Sequence, residues 1–343
     1  MLLQQEINEQ SAVLARLLKE QADNVTEIAA AIREFDPAYV LIAARGTSDN
    51  AARYAQYVLG STVRLPVALS TPSLHTLYAA PPNLSKGLVI GISQSGQAED
   101  VRRVLADARE QGALTLAITN FPDSPMGQTA AHHIELCAGV ERSVAATKTY
   151  TAQLTVVAML GAELADDDVL KAELAAVPVL MQATINGTGG ISDWVERYRY
   201  IEQFAAIGRG FNYPTAFEIS LKVKELTYII GEGYSEADFR HGPIATIMEG
   251  FPVIAVAPQG KTLPQMHDLL DKLHEKGAEL LVISNDGQAL NKATKQMPIP
   301  AAPEWLSPII SVVPGQVFAM HLASVRGYPV DQPRGLTKVT VTE

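Results

Sequence analysis

Apolar strand-like runs alternate with helical ones along this chain, and the pattern predicts an α/β protein made of two copies of one parallel-sheet unit. Three observations carry that expectation. Strand-like and helix-like stretches follow one another in turn, as βαβ units require. A motif recurs at a fixed interval: "EQGALTLAITN" begins at Glu110 and "EKGAELLVISN" at Glu275, 165 residues later. The length of 343 residues, with 47% hydrophobic and 19% charged, suits two domains that each bury a core.

Taken in order, the first 35 residues read as helical, with Leu3, Ile7, Leu14, Leu17 and Leu18 on one side. "YVLIAA" is a strand that leads into "RGTSDN" and a helix through Tyr54 and Tyr57. "VRLPVAL", "LVIGIS" and "ALTLAIT" are further strands, with a helix over Val101 and Leu105 before the last. "HHIELCA" reads as a strand that sends His132 and His133 to opposite faces and buries the single cysteine, Cys137. A long helix over "VAATKTYTAQLTVVAMLGAELA" closes the first half, and "TINGTGGISDW" reads as a linker. In the second half "VIAVAP" from Val253 falls on "LVIGIS" from Leu88 at the same interval, and "GRG" from Gly208 falls near "ARG" from Ala44. The boundaries expected are a helical segment 1–34, domains 35–185 and 190–330, and a tail 331–343.

Composition excludes several classes. Net charge is −10 and the isoelectric point about 5.3, which argues against nucleic-acid or anionic-membrane partners. One cysteine allows no internal disulfide, and no Cys/His spacing suits zinc. The N-terminal segment is amphipathic and charged throughout, neither a signal peptide nor a membrane span, so a cytoplasmic protein is expected.

The two copies differ at the ends of their strands. The first has "GISQSGQ" where the second has "AVAPQGK", and "RGTSDN" where the second has "GRGFNYP". In open parallel sheets, ligands bind beyond the carboxyl ends of the strands. Thr47, Ser48, Ser93, Gln94 and Ser95 all lie at such ends in the first copy. Hydroxyls and a glycine ahead of a helix suit a phosphate, since helix N-termini carry unpaired N–H groups. An ordinary helix cap fits the same residues. The nucleotide motif G-x-x-x-x-G-K-[ST] is absent from the sequence.

These stretches also carry a family resemblance. "SQSGQAEDV", "ARGTSDNAARY", "SVAATKTYTAQL", "EISLKVKELTYIIGEGY", "FRHGP" and the tail "DQPRGLTKVTVTE" resemble the sugar-isomerase (SIS) domains of glucosamine-6-phosphate synthase. The resemblance implies two flavodoxin-like domains and a C-terminal catalytic tail. The glutaminase half of that enzyme is not matched, so the expectation is a stand-alone relative: a deaminase, a phosphosugar isomerase or a deglycase. It implies phosphate and sugar contacts at Thr47, Ser48, Ser93, Gln94, Ser95 and Val144, with Lys222 among the substrate contacts. It implies an acid/base at Glu225, ring opening by His241 acting from the partner subunit of a homodimer, and a Schiff-base lysine at Lys338. Ala98, Ala146 and Gly335 stand where the family has a threonine, a serine and an asparagine.

Aldose–ketose chemistry needs groups of these kinds. Ring opening calls for a residue that exchanges protons near neutral pH, and histidine does so. Moving a C–H proton calls for a carboxylate held in a dry pocket. Glu218, Lys222 and Glu225 stand at i, i+4 and i+7 on one helix face; spacing alone reads as a solvated salt-bridge stripe. "GYSEADFRHGP" around His241 reads as a loop. No metal, nucleotide or redox cofactor is called for. The activity expected is isomerising deamination of glucosamine 6-phosphate to fructose 6-phosphate and ammonia. A fructosamine-6-phosphate deglycase, a simple phosphosugar isomerase and a non-catalytic sugar-phosphate sensor are the alternatives.

Overall fold

The computed structural model describes residues 1–338. The chain divides into two compact units. One holds Ala12–Glu141, Lys148–Ala176 and residues 337–338; the other holds Met1–Ser11, Arg142–Thr147 and Val177–Leu336. Ten strands among the described residues form two five-stranded sheets, one in each unit.

The first sheet contains β1 (Tyr39–Ala43), β2 (Val67–Leu69), β3 (Gly87–Ile92), β4 (Leu114–Thr119) and β5 (His132–Glu135), in the order β2-β1-β3-β4-β5. Every pairing is parallel, with Ile42 beside Ile90 and Ile90 beside Leu116. All six residues of β3 are buried. A central parallel strand is covered on both faces, which explains a continuous apolar run rather than an alternating one. Val101, Val104, Leu105 and Ala108 of the helix Glu99–Glu110 pack with Val89 and Ala117 of the sheet. Gly91 permits this close approach, since a Cβ there would stand 2.7 Å from Leu105 Cδ1. Cys137 lies just past β5, and burial pushes its thiol up to about 11, which makes it a structural residue.

The second sheet contains β6 (Gln203–Gly208), β7 (Ile230–Ser235), β8 (Pro252–Val256), β9 (Glu279–Ser284) and β10 (Lys295–Pro298), in the order β10-β9-β8-β6-β7. Counted from its own first strand, this is the order of the first sheet, the doubly wound arrangement of flavodoxin-like folds. The 165-residue interval carries β4 onto β9 residue for residue. The helix Ser307–Val325 is long and apolar enough to cross a membrane, yet 83% of its most apolar window is buried in the protein. It packs against the helix Tyr213–Thr227, with Gly315 against Ile219.

Three local expectations need correction. The stretch "TINGTGGISDW" is not an extended linker: Val177–Gly187 and Ile191–Trp194 are helices, and the Thr184 hydroxyl donates to the Leu180 carbonyl within the first. The long helix of the first half begins at Lys148, so Val144–Thr147 precede it. "GYSEADFRHGP" is not a loop. Its first residues complete β7, Glu236–Arg240 form a short helix, and Pro243–Thr246 a 3-10 turn.

Candidate functional site

In the first sheet the strand order reverses between β1 and β3, and the two hydroxyl-bearing loops leave these neighbouring strands at their carboxyl ends. After β1, Gly46 takes a left-handed φ of 53° and starts the helix Thr47–Thr62. Thr47 is half-buried. Ser48 is buried, and its Oγ accepts from Gln153 Nε2 at 3.0 Å.

After β3 the chain turns through Ser93, Gln94, Ser95 and Gly96 before its helix begins at Glu99. Ser93 Oγ accepts from the Gly96 amide at 3.2 Å, and Ser95 Oγ from the Gln97 amide at 3.3 Å. A hydroxyl that accepts in this way keeps its own proton to donate. The turn is pinned from outside. The Gln94 carbonyl accepts from the Asn120 amide at 3.1 Å and the Gly96 carbonyl from the Met126 amide at 3.2 Å. Gly96 has φ 66°, and a Cβ there would lie 2.1 Å from Ser124 Oγ, so no other residue fits.

The serines are not the helix cap. Ala98 occupies that position and provides no side-chain cap. The first turn of the helix instead carries Glu99 and Asp100, each with a guanidinium partner. Arg102 bonds Glu99 and holds its carboxyl below the usual range. Arg45 Nε reaches Asp100 Oδ2 at 2.7 Å, a bridge from the β1 loop to the helix after β3. An anion here would therefore meet the hydroxyls and amides of the turn, with Arg45 at the rim. Arg45 was not singled out from the sequence, although it stands two residues before Thr47 in "RGTSDN".

The same unit holds Lys338. Its Nζ donates to Glu141 Oε2 at 2.8 Å. The Glu141 side chain is fully buried and also accepts from the Thr149 amide at 3.2 Å and the Thr149 hydroxyl at 2.7 Å. That ion pair has to open before the amine can attack a carbonyl. Glu141 is a second residue that no spacing in the sequence marked.

In the second unit the Glu218–Lys222–Glu225 row is not solvated. Glu218 and Lys222 are 0% and 1% exposed. Lys222 Nζ lies 2.6 Å from Glu225 Oε2 and 3.4 Å from Glu218 Oε1. Glu225 is the member that reaches the surface, with 23% of its side chain exposed. A buried ammonium between two carboxylates is costly to desolvate, and the pairing on both sides offsets that cost. The stripe is buried because the helix Tyr213–Thr227 is covered by β7, β6 and the helix Ser307–Val325.

His241 ends the short helix Glu236–Arg240, where its amide donates to the Asp238 carbonyl at 3.0 Å. Its ring is exposed on the wall of an open hollow of about 420 Å³, with Arg209, Glu236, Arg240 and Asp268. Glu236 is buried and accepts from Arg209 Nη1 at 2.6 Å and from Arg240. Glu225 does not line this hollow. Gly242 follows His241 with φ 140°, a conformation that turns the chain into Pro243. Val144 is half-buried, and its amide donates to the Asp331 carbonyl at 3.2 Å. Gly335 has φ 72°, a region open to glycine and asparagine alike, so the exchange of these two residues leaves the backbone path unstrained. Tail residues 339–343 lie outside the described residues.

At the matching place in the second sheet, the turn after β8 is already filled. The Glu304 carboxylate accepts from the Lys261 amide at 2.8 Å, the Thr262 amide at 3.1 Å and the Thr262 hydroxyl at 2.9 Å.

Comparison with known proteins agrees with this architecture. The SIS domain family matches residues 36–162 and 202–326. Glutamine–fructose-6-phosphate aminotransferase (isomerizing) of Gloeobacter violaceus is 36% identical over 316 residues, covering 89% of this chain and 52% of that protein. The chain thus spans about half the length of the curated relatives it matches. Among solved structures, the C-terminal domain of glucosamine-fructose-6-phosphate aminotransferase from Francisella tularensis superposes with a TM-score of 0.87 at 26% identity, covering 97% of this chain and 98% of that one. Glucosamine-6-phosphate deaminase of Thermotoga maritima shares the fold, with a TM-score of 0.83 at 20% identity over the whole of both chains. With both α/β copies matched, and with relatives above 30% identity over nearly its whole length, the chain belongs to the SIS-domain family, as a protein with two SIS repeats.

Proposed function

We propose that this protein catalyses the isomerising deamination of glucosamine 6-phosphate. The observation that carries the reading is the buried Lys222, which holds Glu225 by a 2.6 Å ion pair while Glu225 stays partly open to solvent. A carboxylate fixed at the mouth of a buried polar row is suited to proton transfer at carbon. The names of the relatives support an amino-sugar phosphate as the substrate class.

The phosphate is bound by the hydroxyls and amides of the Ser93–Gln97 turn together with Thr47 and Ser48, and Val144 lies against the sugar. His241 opens the ring. Glu225 takes the proton from C2, which leaves an enolamine, and returns it to C1, which gives the imine at C2. Water adds to the imine and ammonia leaves, so one water is consumed for each fructose 6-phosphate formed. In this direction Lys338 has no amine to deliver and holds sugar hydroxyls. The protein is a cytoplasmic homodimer, and His241 serves the partner's site.

Incubation with glucosamine 6-phosphate should yield ammonia and fructose 6-phosphate in equal amounts. Inactivity on glucosamine 6-phosphate, with glucose 6-phosphate and free amine released from a fructosamine 6-phosphate, or with ammonia-free interconversion of an aldose and a ketose phosphate, would redirect the reading to one of the alternatives. For the shared histidine, Glu225→Gln and His241→Asn proteins are unfolded together and refolded. Action in trans returns about a quarter of wild-type activity, because random pairing makes half the dimers hybrid with one intact site each. Confirmed hybrids with no activity would leave His241 working within its own chain.

A further inference from the structure

Three segments far apart in sequence close into one ring of hydrogen bonds in the second unit. Asp331, at the start of the tail, places its carboxylate on the free end of the first helix: Oδ2 accepts from the Leu2 amide at 3.0 Å and Oδ1 from the Leu3 amide at 2.9 Å. One turn along that helix stands Glu6, a buried carboxylate at 4% exposure. Its Oε1 accepts from the Arg142 amide at 2.5 Å and the Ser143 amide at 3.3 Å, and its Oε2 from the Ser143 amide at 3.2 Å. The next amide of the same loop, that of Val144, goes back to the Asp331 carbonyl at 3.2 Å. Three consecutive loop amides are thereby taken, two by the first helix and one by the tail.

We infer that Glu6 and Asp331 are positioning residues, which hold the Arg142–Thr147 loop and the root of the tail in the geometry that binds the sugar. The inference rests on the reading that Val144 lies against the sugar. Each carboxylate accepts from backbone N–H groups of another segment. Without Glu6 the Arg142 and Ser143 amides lose their acceptor, and that of Ser143 is buried, where packing does not replace it. Without the Asp331 carboxylate the first helix loses its cap, and Glu6 is carried on that helix. The two residues therefore act in series, and loss of either loosens the hold on the loop that carries all three amides.

The test uses the full chain with Asp331→Ala and Glu6→Gln; the second keeps one acceptor oxygen and guards against loss of the fold. Hydrogen exchange is read amide by amide without substrate, and steady-state kinetics with glucosamine 6-phosphate. Exchange at Arg142, Ser143 and Val144 should quicken by about tenfold or more while the amides of β3 keep their protection, as local rather than global opening requires. KM should rise by about tenfold with kcat within a few-fold, the signature of lost binding rather than lost chemistry. Unchanged exchange at the three amides overturns the ring as a holding device. Faster exchange with unchanged KM overturns its role in substrate binding. Wild-type protein that binds no hexosamine phosphate defeats the functional reading itself, and this inference with it.

Discussion

After β3 the first copy turns through Ser93, Gln94, Ser95 and Gly96; after β8 the second turns through Pro258, Gln259, Gly260 and Lys261. Both turns precede a helix of similar length, Glu99–Glu110 in one and Leu263–Glu275 in the other. The second aims two amides and a hydroxyl at the carboxylate of Glu304. The first presents two serine hydroxyls whose protons remain available. Two copies of one fold thus differ in what their matching turns hold. The second copy satisfies its turn with an anion from its own chain. In the proposed function the first copy takes its anion from the substrate. The second copy contributes elsewhere, through the buried Lys222 and Glu225 on the helix after β6.

That division of labour can be broken at four points. The largest effect belongs to Glu225→Gln. The amide keeps the shape but cannot act as a base, and loss of a general base costs about 10²–10⁴-fold in rate. Binding of fructose 6-phosphate should survive, and incorporation of solvent deuterium at C1 should stop; undiminished incorporation removes Glu225 from the mechanism. Next comes the double change Ser93→Ala with Ser95→Ala. Two hydrogen bonds to a charged group, each worth roughly 1.5–3 kcal/mol, are lost, so calorimetry should show affinity falling well over tenfold. A wild type that binds glucosamine and its 6-phosphate equally well contradicts the assignment.

The third change exposes the second copy's turn. Glu304→Ala leaves the Lys261 and Thr262 amides without their acceptor and should lower stability by about 1–3 kcal/mol. Inorganic phosphate at millimolar concentration should then raise the melting temperature of the variant more than that of wild type, since an added anion replaces the missing one. Equal shifts would mean that the turn cannot take an anion from outside. The smallest effect is a gain. Ala98→Thr restores a capping hydroxyl at the head of the helix Glu99–Glu110, and a good cap replacing alanine is worth about 0.5–2 kcal/mol. Chemical denaturation should show the midpoint rising, with phosphate affinity equal or tighter; a lower midpoint would mean that Ala98 is packed too closely for a larger side chain.

Much of the scaffold was legible because central parallel strands are written as unbroken apolar runs. "LVIGIS" and "VIAVAP" could be recognised, aligned and placed 165 residues apart without any three-dimensional information. β7 was not legible. Its "IGEGYS" is polar and glycine-bearing because it lies at the sheet edge, where one side has no neighbouring strand and burial is partial. The burial of Lys222 was hidden for another reason. Charged residues at i, i+4 and i+7 look the same whether water or another helix covers them, and only tertiary packing of Ser307–Val325 decides. The resemblance pointed to Glu225, Lys222 and the serine turn. It did not point to Arg45, Glu141, Glu6, Asp331 or Glu304. Most of these reach partners a whole domain or more away in sequence, and a local window carries no trace of such a bond.

Gly96 bears on how fast and how cheaply a ligand can arrive. Its carbonyl is held by Met126, its amide by Ser93, and its missing side chain leaves room for Ser124. The turn therefore has its final shape while empty, and the chain has already lost its freedom there during folding. An arriving phosphate would order no backbone, so little of its interaction energy would be consumed in organising the receptor. Capture should then be one collision-limited step whose observed rate climbs in proportion to phosphosugar concentration, without the plateau that a slow loop rearrangement imposes.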